Sequence, residues 1–199
     1  MQCNINGKDR LRREMKSKRR SLSPAEVEKL SREACDLLFE TEFFSKSEVV
    51  CVYMSAFNEV DTKYITEKCL KLQKTVIVPV VDGDDIYPAV YDENTEKGSF
   101  GISEPVNKTQ HSKYDIDLFI IPGLAFGRCG ERVGFGKGYY DKLLKNTDGI
   151  KTGFLYDFQL TDEIETEKHD IYMDYLITES KVIDCALQRY ESSMETITD

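Results

Sequence analysis

Two short runs of apolar residues restrict what this chain can fold into. Residues 76–81 and 118–122 are entirely aliphatic or aromatic apart from one proline in each run. Each run is far shorter than the roughly 20 apolar residues of a membrane-spanning helix, and each predicts a buried strand. Continuous apolar strands of this kind are typical of parallel sheets that are covered by helices on both faces. We therefore expect an α/β fold.

Segments with helical spacing alternate with the predicted strands along the chain. Residues 8–20 have a helix-forming composition, and Ser23, Pro24 and Glu26 together predict the capped start of a second helix. The other predicted elements are the end of that helix near residue 39, strands at 49–53, 75–81, 86–91 and 117–121, helices at 61–73 and 138–144, strands near 152–155 and 175–178, and a polar connection at 92–115.

This alternation predicts a single three-layer α/β/α domain across residues 1–199, with a mostly parallel central sheet. A chain of 199 residues with 40% hydrophobic content can bury one core but is short for two. The tail after about residue 187 has little to bury, and we expect it to fray.

Cysteine and histidine usage predicts neither disulfides nor a structural zinc site. The six cysteines are far apart, none belongs to a C-x-x-C pair, and His111 and His169 are the only histidines. The first seven residues contain neither a charged start nor an apolar stretch, so no secretory signal is predicted. We expect a cytoplasmic protein without a membrane span.

The formal net charge of −9 conceals a basic N-terminus. Residues 1–20 contain eight Lys/Arg and two acidic residues, so they carry +6 while the remainder carries −15. Such a segment can be a solvated helix face or a binding site for a phosphate-bearing small ligand. Nucleic acid is disfavoured, because the segment lacks interleaved aromatic residues and the acidic remainder would repel a phosphate backbone.

Half of the glycines are concentrated in one window after the predicted strand at 118–122. Six of the twelve fall within 16 residues, from Gly123 to Gly138. In an open α/β sheet, ligands bind beyond the carboxyl ends of the strands, where a glycine-rich turn before a helix presents bare backbone N–H groups to an anion. A phosphate group is the natural ligand of such a turn.

The centre of this window, residues 132–141, combines Arg132 and Lys137 with three alternate glycines, aromatic residues and Asp141. It matches neither the Walker A pattern, whose Lys-Ser/Thr end is missing, nor the glycine spacing of a Rossmann turn. On spacing alone, the window favours a phosphate or nucleotide site, and a structural glycine loop stays open as the alternative. Asp141 suits a magnesium ion that bridges phosphate oxygens.

The window also resembles a known family. Residues 122–126, Gly130, Arg132 and residues 134–141 closely resemble the signature of 5-formyltetrahydrofolate cyclo-ligases, also called methenyltetrahydrofolate synthetases. Other landmarks similar to those of the family follow in the family's order, namely Lys8, Arg12, Met54, residues 59–62, 78–79 and 101–105, and His169-Asp170 before Asp174. The resemblance covers nearly the whole chain, from Lys8 to about Thr178.

The resemblance implies a reaction in which ATP and 5-formyltetrahydrofolate yield 5,10-methenyltetrahydrofolate, ADP and phosphate, with magnesium. The γ-phosphoryl group of ATP would be transferred to the formyl oxygen. Such a reaction depends on cations, magnesium and backbone donors more than on a protein nucleophile. The absence of a Ser-His-Asp or Cys-His motif from the sequence is consistent with this expectation.

By the resemblance, the site residues fall into three groups. Catalysis is assigned to Lys137, Arg132 and Tyr139, and magnesium binding to Asp141 and Asp170. The residues assigned to ATP are Lys8, Arg12, Arg132, Gly134, Gly136, Lys137, Gly138 and Tyr140. The residues assigned to the reduced folate are Met54, Glu59, Phe135 and Tyr139, with Glu59 as the anchor of the pterin ring.

The residues by themselves leave other roles open. Lys8 and Arg12 can belong to a solvated helix face, Asp170 to a turn, and Glu59 to the surface near a helix start. The rings and Met54 can be ordinary core. Two further residues depart from the family's usual pattern. Gly127 stands where Asp is more common, which leaves open the loss of a carboxylate, and Phe135 stands at a variable position that is sometimes basic.

Two other functions compete with the ligase. One is a sugar-phosphate isomerase-like or ligand-sensing α/β domain, which would use the glycine window without hydrolysing ATP. The other is a non-catalytic folate-binding protein, which would tolerate the loss of Lys137. The complete set of basic and acidic residues favours the ligase over both alternatives. We expect the enzyme to act as a monomer on ATP and 5-formyltetrahydrofolate, with no nucleic-acid or membrane partner.

Overall fold

The computed structural model describes residues 7–98, 101–162, 164–166 and 170–195. His169, one of the landmarks of the resemblance, lies outside these ranges, as do residues 1–6 and 196–199 at the two termini.

Six α-helices lie in the described part of the chain: α1 (Gly7–Ser21), α2 (Pro24–Phe39), α3 (Glu42–Lys46), α4 (Lys63–Lys71), α5 (Tyr139–Leu144) and α6 (Cys185–Glu195). The predicted capping signal is confirmed at α2, where the Ser23 N–H donates to the Glu26 carboxylate at 2.8 Å and the Glu26 N–H donates to the Ser23 hydroxyl at 3.3 Å. Within the described ranges, none of these helices has the length and apolar character that crossing a bilayer requires.

The described residues also form twelve strands: β1 (Val49–Val52), β2 (Thr75–Asp82), β3 (Asp85–Val90), β4 (Thr95–Lys97), β5 (Ser103–Pro105), β6 (Leu118–Ile121), β7 (Ala125–Gly127), β8 (Arg132–Val133), β9 (Ile150–Phe154), β10 (Leu160–Thr161), β11 (Tyr175–Ile177) and β12 (Val182–Asp184). Seven of them build the central sheet, in the order β12-β11-β9-β6-β1-β2-β3. The five inner strands, from β11 to β2, are all parallel. This confirms the predicted mostly parallel α/β sheet.

The two edge strands run in the opposite direction. Strands β3 and β12 pair antiparallel with β2 and β11. The sequence predicted a mostly parallel sheet and included a strand at 86–91, whereas no strand was predicted at the position of β12. The connection from Asp82 to Asp85 is a tight turn in which Gly83 has a left-handed φ of 59°. A turn of this length can close a hairpin, whereas a parallel connection needs a crossover of about a dozen residues.

Side chains that alternate along the inner strands divide the core into two layers. Val50 and Ile120 pack on the side covered by α2, α3 and α4. Cys51, Phe119 and Ile121 pack on the other side, with α5 and the start of α6. The sheet is therefore buried between two helical layers, which is the three-layer arrangement expected from the sequence.

Several short elements lie where none was predicted. Strands β4 and β5 form a hairpin within the connection at 92–115, and β7, β8 and β10 form a three-stranded sheet beside the glycine window. Strands of two or three residues are too short for a periodic pattern to indicate them. Helix α6 was also not predicted; it continues to residue 195 and contacts β11 and β12.

Replacing Ile120 with alanine should lower the free energy of unfolding by about 2–5 kcal/mol, because a buried isoleucine loses its packing and leaves a cavity. Ile120 is 1% exposed and lies in β6, with strands on both sides. Leu70→Ala is a matched control, since Leu70 is 42% exposed on α4 and its truncation should cost about 0.5 kcal/mol or less. Urea unfolding monitored by circular dichroism measures both, and equal losses would contradict the placement of Ile120 in the core.

Candidate active site

A cavity of about 500 Å³ opens at the carboxyl ends of the inner strands. Tyr53 and Met54 follow β1, Pro79 and Val81 lie in β2, and Pro122 follows β6, and all five residues line the cavity. Ligands bind at this edge in open α/β sheets. The cavity is thus located where the sequence predicts a ligand site.

Every residue that the sequence assigned to a site role lines this cavity. These residues are Lys8, Arg12, Met54, Glu59, Arg132, Gly134, Phe135, Gly136, Lys137, Gly138, Tyr139, Tyr140, Asp141 and Asp170. They come from α1, the loop after β1, the glycine window and the segment before β11, which are far apart in the sequence. Lining residues to which the sequence assigned no site role include Phe57, Val81, Ile86 and Ile102.

Helix α1 supplies a cationic wall of the cavity. Lys8 Nζ donates to Asp170 Oδ2 at 2.9 Å, and Arg12 Nε donates to the Gly134 carbonyl at 3.0 Å. Arg12 Nη1 also lies 2.5 Å from Asp9 Oδ1 on the same helix. These contacts attach the start of α1 to the glycine window and to the segment before β11. Lys8 and Arg12 therefore face the cavity and not only solvent.

Arg132 and Asp141 form an ion pair within the glycine window. Arg132 Nη2 lies 2.8 Å from Asp141 Oδ1, and the guanidinium carbon lies 5.6 Å from the centre of the Tyr140 ring. The Arg132 side chain is buried, and its Nε has no hydrogen-bond partner among the described residues. Buried donors are costly when unpaired. Arg132 therefore combines a place in the cavity wall with one buried N–H donor that is unpaired among the described residues.

Lys137 lies on an exposed turn between two glycines. Gly136 and Gly138 have left-handed φ angles of 96° and 69°, which glycine adopts without the steric cost of a side chain. In the described ranges, the Lys137 ammonium makes no hydrogen bond or ion pair. The following helix, α5, has only six residues. Its dipole is correspondingly small, so the positive potential comes mainly from side chains.

Tyr139 connects the glycine window to the turn between β2 and β3. Its hydroxyl donates to the Gly83 carbonyl at 3.0 Å, and Lys142 Nζ donates to the neighbouring Asp84 carbonyl at 2.6 Å. The same tyrosine lines the cavity. The first hydrogen bond fixes the Tyr139 side chain beside the cavity, and both bonds attach the start of α5 to this turn.

Glu59 is buried in the loop after β1 and has two donors. Arg19 Nη1 lies 3.3 Å from Glu59 Oε1, and the Ala56 N–H donates to Oε2 at 3.1 Å. Burial raises the pKa of Glu59, and the positive charge of Arg19 opposes that rise. Glu59 is therefore a buried residue of the cavity wall and not the surface acid that its position near a helix start left open.

Arg19 is a charged residue that the sequence prediction missed. Its side chain is 2% exposed, which is rare for arginine unless it is paired. A signal was present, because Lys8, Arg12, Met15 and Arg19 recur at intervals of four, three and four residues, as expected for one face of a helix. The inward face of α1 thus carries three cations and one buried methionine.

Two exposed rings border the cavity near Glu59. Phe57 is 63% exposed and Phe135 is 45% exposed, although both are large and apolar. The Phe135 ring lies 5.4 Å from Lys16 Nζ and 5.6 Å from the guanidinium carbon of Arg19. Phe135 is therefore not a core residue. Exposed aromatic surface beside a cavity is suited to packing on a planar ligand.

Gln159 is hydrogen-bonded to the backbone at the start of the glycine window. Its Nε2 donates to the Gly123 carbonyl at 2.9 Å and to the Leu124 carbonyl at 3.0 Å, and its Oε1 accepts from the Tyr156 N–H at 3.0 Å. A lone glutamine gives no sequence signal for this role. Gln159 provides a hydrogen-bond donor for two backbone carbonyls that lie just after the end of β6.

Gly127 packs against Glu131. A Cβ atom at position 127 would lie 2.2 Å from Glu131 Oε2, which is closer than nonbonded atoms approach. This Oε2 is buried and has no hydrogen-bond partner in the described part of the chain. The carboxylate of Glu131 thus occupies the space that a side chain at position 127 would need.

Asp141 and Asp170 both line the cavity, and each is paired with a cation, Arg132 and Lys8 respectively. The described residues contain no group of three or more His, Cys, Asp or Glu side chains that could enclose a metal. Magnesium is often held by one or two carboxylates together with substrate phosphates and water. Two cavity carboxylates fit such a partial set of ligands.

The open parallel sheet, with a cationic and glycine-lined cavity at its carboxyl edge, defines an α/β protein suited to anionic small ligands. Residues 4–179 match the model of the 5-formyltetrahydrofolate cyclo-ligase family. The chain belongs to this family, and it is an enzyme of the ligase class in folate metabolism.

Individual relatives agree with this membership. The chain is 27% identical over 194 residues to a probable 5-formyltetrahydrofolate cyclo-ligase of Caenorhabditis elegans, which covers 88% of this chain and 94% of the relative. It is 27% identical over 178 residues to the cyclo-ligase of Escherichia coli K12, covering 84% of this chain and 98% of the relative. These relatives confirm the resemblance found in the sequence.

Solved structures give the same result. The NMR structure of Aquifex aeolicus 5,10-methenyltetrahydrofolate synthetase is similar at a TM-score of 0.81 and 37% identity, covering 89% of this chain and 92% of that chain. A Mycoplasma pneumoniae 5,10-methenyltetrahydrofolate synthetase is similar at a TM-score of 0.72 and 26% identity, covering 87% and 99%. Fold and family are thus supported independently.

Replacing Glu59 with glutamine should change how stability depends on pH. The pKa of Glu59 is raised in the folded protein, whereas in the unfolded chain a glutamate has a pKa of about 4.3. Between these two pKa values, the folded protein therefore keeps a proton on Glu59 that the unfolded chain releases. This carboxyl therefore favours folding below its unfolded pKa, and its contribution is lost as the pH rises through the folded pKa. Glutamine does not titrate, so the Glu59→Gln variant does not lose stability at this position as the pH rises.

The free energy of unfolding of Glu59→Gln, relative to the parent, should accordingly increase as the pH rises. Urea unfolding at a series of pH values measures the difference. The loss of the partner of Arg19 adds an offset to this difference, but a charged arginine does not titrate in this range. A difference that stays constant with pH would contradict the raised pKa.

Proposed function

We propose that this chain catalyses the ATP- and magnesium-dependent cyclisation of 5-formyltetrahydrofolate to 5,10-methenyltetrahydrofolate, with release of ADP and phosphate. The observation that carries the proposal is the composition of one cavity of about 500 Å³. Lys8, Arg12, Arg132 and Lys137 line it together with Glu59 and exposed aromatic rings. Cations suit a triphosphate, and a buried carboxylate beside rings suits a pterin.

The reaction has to convert a poor leaving group into a good one. In the proposed sequence, the formyl oxygen attacks the γ-phosphorus of ATP and ADP leaves. N10 of the reduced folate then attacks the activated formyl carbon and loses its proton. The bond from carbon to the phosphorylated oxygen breaks, so the original formyl oxygen departs with the phosphate and the methenyl ring system remains. Each step needs alignment and charge stabilisation more than covalent help from the protein.

The cationic residues would bind the phosphate groups. Lys8 and Arg12 face the cavity from α1, and Arg132 lines it with an unpartnered Nε. Residues of the glycine window would complete the ATP site by backbone contacts and by support of the nucleotide, namely Gly134, Gly136, Gly138 and Tyr140. Asp141 and Asp170 would hold a magnesium ion, which neutralises charge on phosphate oxygens when bound.

Lys137 would act on the transferring phosphoryl group. It is the cavity cation without an ion pair among the described residues, and it lies on a turn between two left-handed glycines. An ammonium that has no internal partner can follow the phosphoryl group from ATP to the formyl oxygen. Arg132 would share this charge stabilisation, which is strongest when negative charge spreads in the transition state.

The reduced folate would occupy the region around Glu59. The carboxylate would accept hydrogen bonds from the N–H groups of the pterin ring, because it faces the cavity and is nearly buried. Met54, Phe135 and Tyr139 would pack against the ring systems of the substrate. Tyr139 would also help to align the formyl group, since its hydroxyl is already fixed by the Gly83 carbonyl.

The decisive experiment mixes the protein, ATP, magnesium and 5-formyltetrahydrofolate and records the near-ultraviolet absorption band of the methenyl product. We expect product only when ATP and the divalent cation are both present, because the donors of the cavity do not by themselves neutralise a triphosphate. Turnover that persists in excess chelator would contradict the role of the cation. Absence of product under all conditions, with a folded protein, would contradict the proposed reaction.

Lys137→Met should lower the rate of the chemical step by about 100- to 1000-fold, because removing one charge-stabilising contact has effects of this size. Folate affinity should change much less, since the ammonium is needed for the phosphoryl group. Single-turnover rates at saturating ATP and folate measure the first quantity, and calorimetric titration measures the second. Lys145→Met is the matched control, because Lys145 is exposed at the end of α5 and does not line the cavity. A folded Lys137→Met protein with the rate of Lys145→Met would overturn the assigned role.

A further inference from the structure

Arg19 is a buried cation that does not itself line the cavity. Its Nη1 lies 3.3 Å from Glu59 Oε1, and its Nε is buried without a hydrogen-bond partner among the described residues. Burial of a guanidinium has a high desolvation cost unless an opposite charge compensates it. The partner is the carboxylate that the proposed function assigns to the pterin ring.

Four titratable side chains from different segments surround Glu59. Arg19 faces it from α1, Tyr53 from the end of β1, and Tyr140 from α5. Tyr156 donates its hydroxyl to the Glu59 carbonyl oxygen at 3.1 Å. The three tyrosines are neutral phenols, because burial raises the pKa of each of them. Among the described residues, Arg19 is therefore the cation that stabilises the charged form of Glu59.

The backbone of the same region is tied to the end of α1. Asn58 Nδ2 donates to the Arg19 carbonyl at 3.0 Å and to the Leu22 carbonyl at 3.1 Å. Asn58 itself has a left-handed φ of 55°, so the loop makes a sharp bend beside Glu59. The side chain of Arg19 also packs under the Phe135 ring, at 5.6 Å from its centre. One arginine thus contacts two parts of the cavity wall.

Charge matters here because a pterin offers N–H donors to its anchor. An ionised carboxylate accepts from two donors, whereas a protonated carboxyl presents a donor at one of its oxygens. Without a nearby cation, a buried carboxyl prefers the protonated form. The affinity for the pterin ring should therefore depend on a residue that never touches it.

We infer that Arg19 is a positioning residue, which keeps Glu59 ionised and directed at the cavity and thereby sets the affinity for the reduced folate. The inference rests on the proposed function, since it takes the pterin ring as the ligand of Glu59. It adds a residue that the resemblance to the family did not indicate.

The test is the pH dependence of 5-formyltetrahydrofolate binding to Arg19→Met, measured by calorimetric titration without ATP. Removing an adjacent opposite charge raises the pKa of a carboxyl by about 1–3 units. Between the pKa of Glu59 in the parent and its higher pKa in the variant, the variant should bind 5-formyltetrahydrofolate more weakly than the parent does. In this range its dissociation constant should fall by about tenfold per unit of rising pH, until the pH exceeds the raised pKa of Glu59. The parent, titrated in parallel over the same range, should show a much weaker dependence.

Three further variants separate this role from a structural one. Arg20→Met removes an exposed arginine from the same helix and should bind like the parent at every pH. Arg19→Lys keeps the charge and should restore most of the affinity. In a Glu59→Gln background, Arg19→Met should add little and should show no recovery with pH, because the titrating group is absent. If Arg19→Met fails to fold, Arg19→Gln takes its place, since it retains an amide donor while it removes the charge.

The outcomes distinguish the inference from the proposed function. A parent protein that does not bind 5-formyltetrahydrofolate overturns the proposed function and the inference with it. A parent that binds, together with an uncharged Arg19 variant whose affinity loss is equal at every pH, overturns the inference alone. Recovery with pH that persists in the Glu59→Gln background also overturns it, since another group would then be titrating.

Discussion

The arrangement of this protein depends on the pairing of charges on the inward face of helix α1. Lys8, Arg12 and Arg19 point at the end of a parallel sheet, and each finds an acceptor from a distant part of the chain, Asp170, the Gly134 carbonyl and Glu59 respectively. Buried or half-buried cations are tolerated only when they are paired in this way. These pairs close one wall of the cavity and hold three chain segments together.

Two ion pairs compensate part of the charge in the cavity before any ligand binds. Arg132 is compensated by Asp141 and Lys8 by Asp170. In the proposed reaction, ATP would bring negative charge to the cations and magnesium would bring positive charge to the carboxylates. Each member of these pairs would then keep an opposite charge nearby, which would avoid the cost of an isolated buried ion. Lys137 has no such pair in the described residues and is available from the start.

Local patterns account for the strands and helices that could be predicted. The apolar runs that became β2 and β6 are buried on both faces, and Ser23 with Glu26 forms the expected cap of α2. The direction of β3 and β12 was not predictable from their own residues, because a strand pairs in either direction and only the turn before it decides. Short strands such as β8, with two residues, contain too few positions to show a period.

The sequence by itself determined the residue types of the candidate site, since the glycine window from Gly123 to Gly138 and the basic residues of α1 are visible without coordinates. Only the tertiary structure decided which of them meet. The role inferred for Arg19 depends on its contact with Glu59, 40 positions away. Phe57, which had no assigned role, lines the cavity because the fold leaves its ring exposed. The physical reason is that helical spacing fixes which side chains share a face, whereas long-range packing fixes what that face meets.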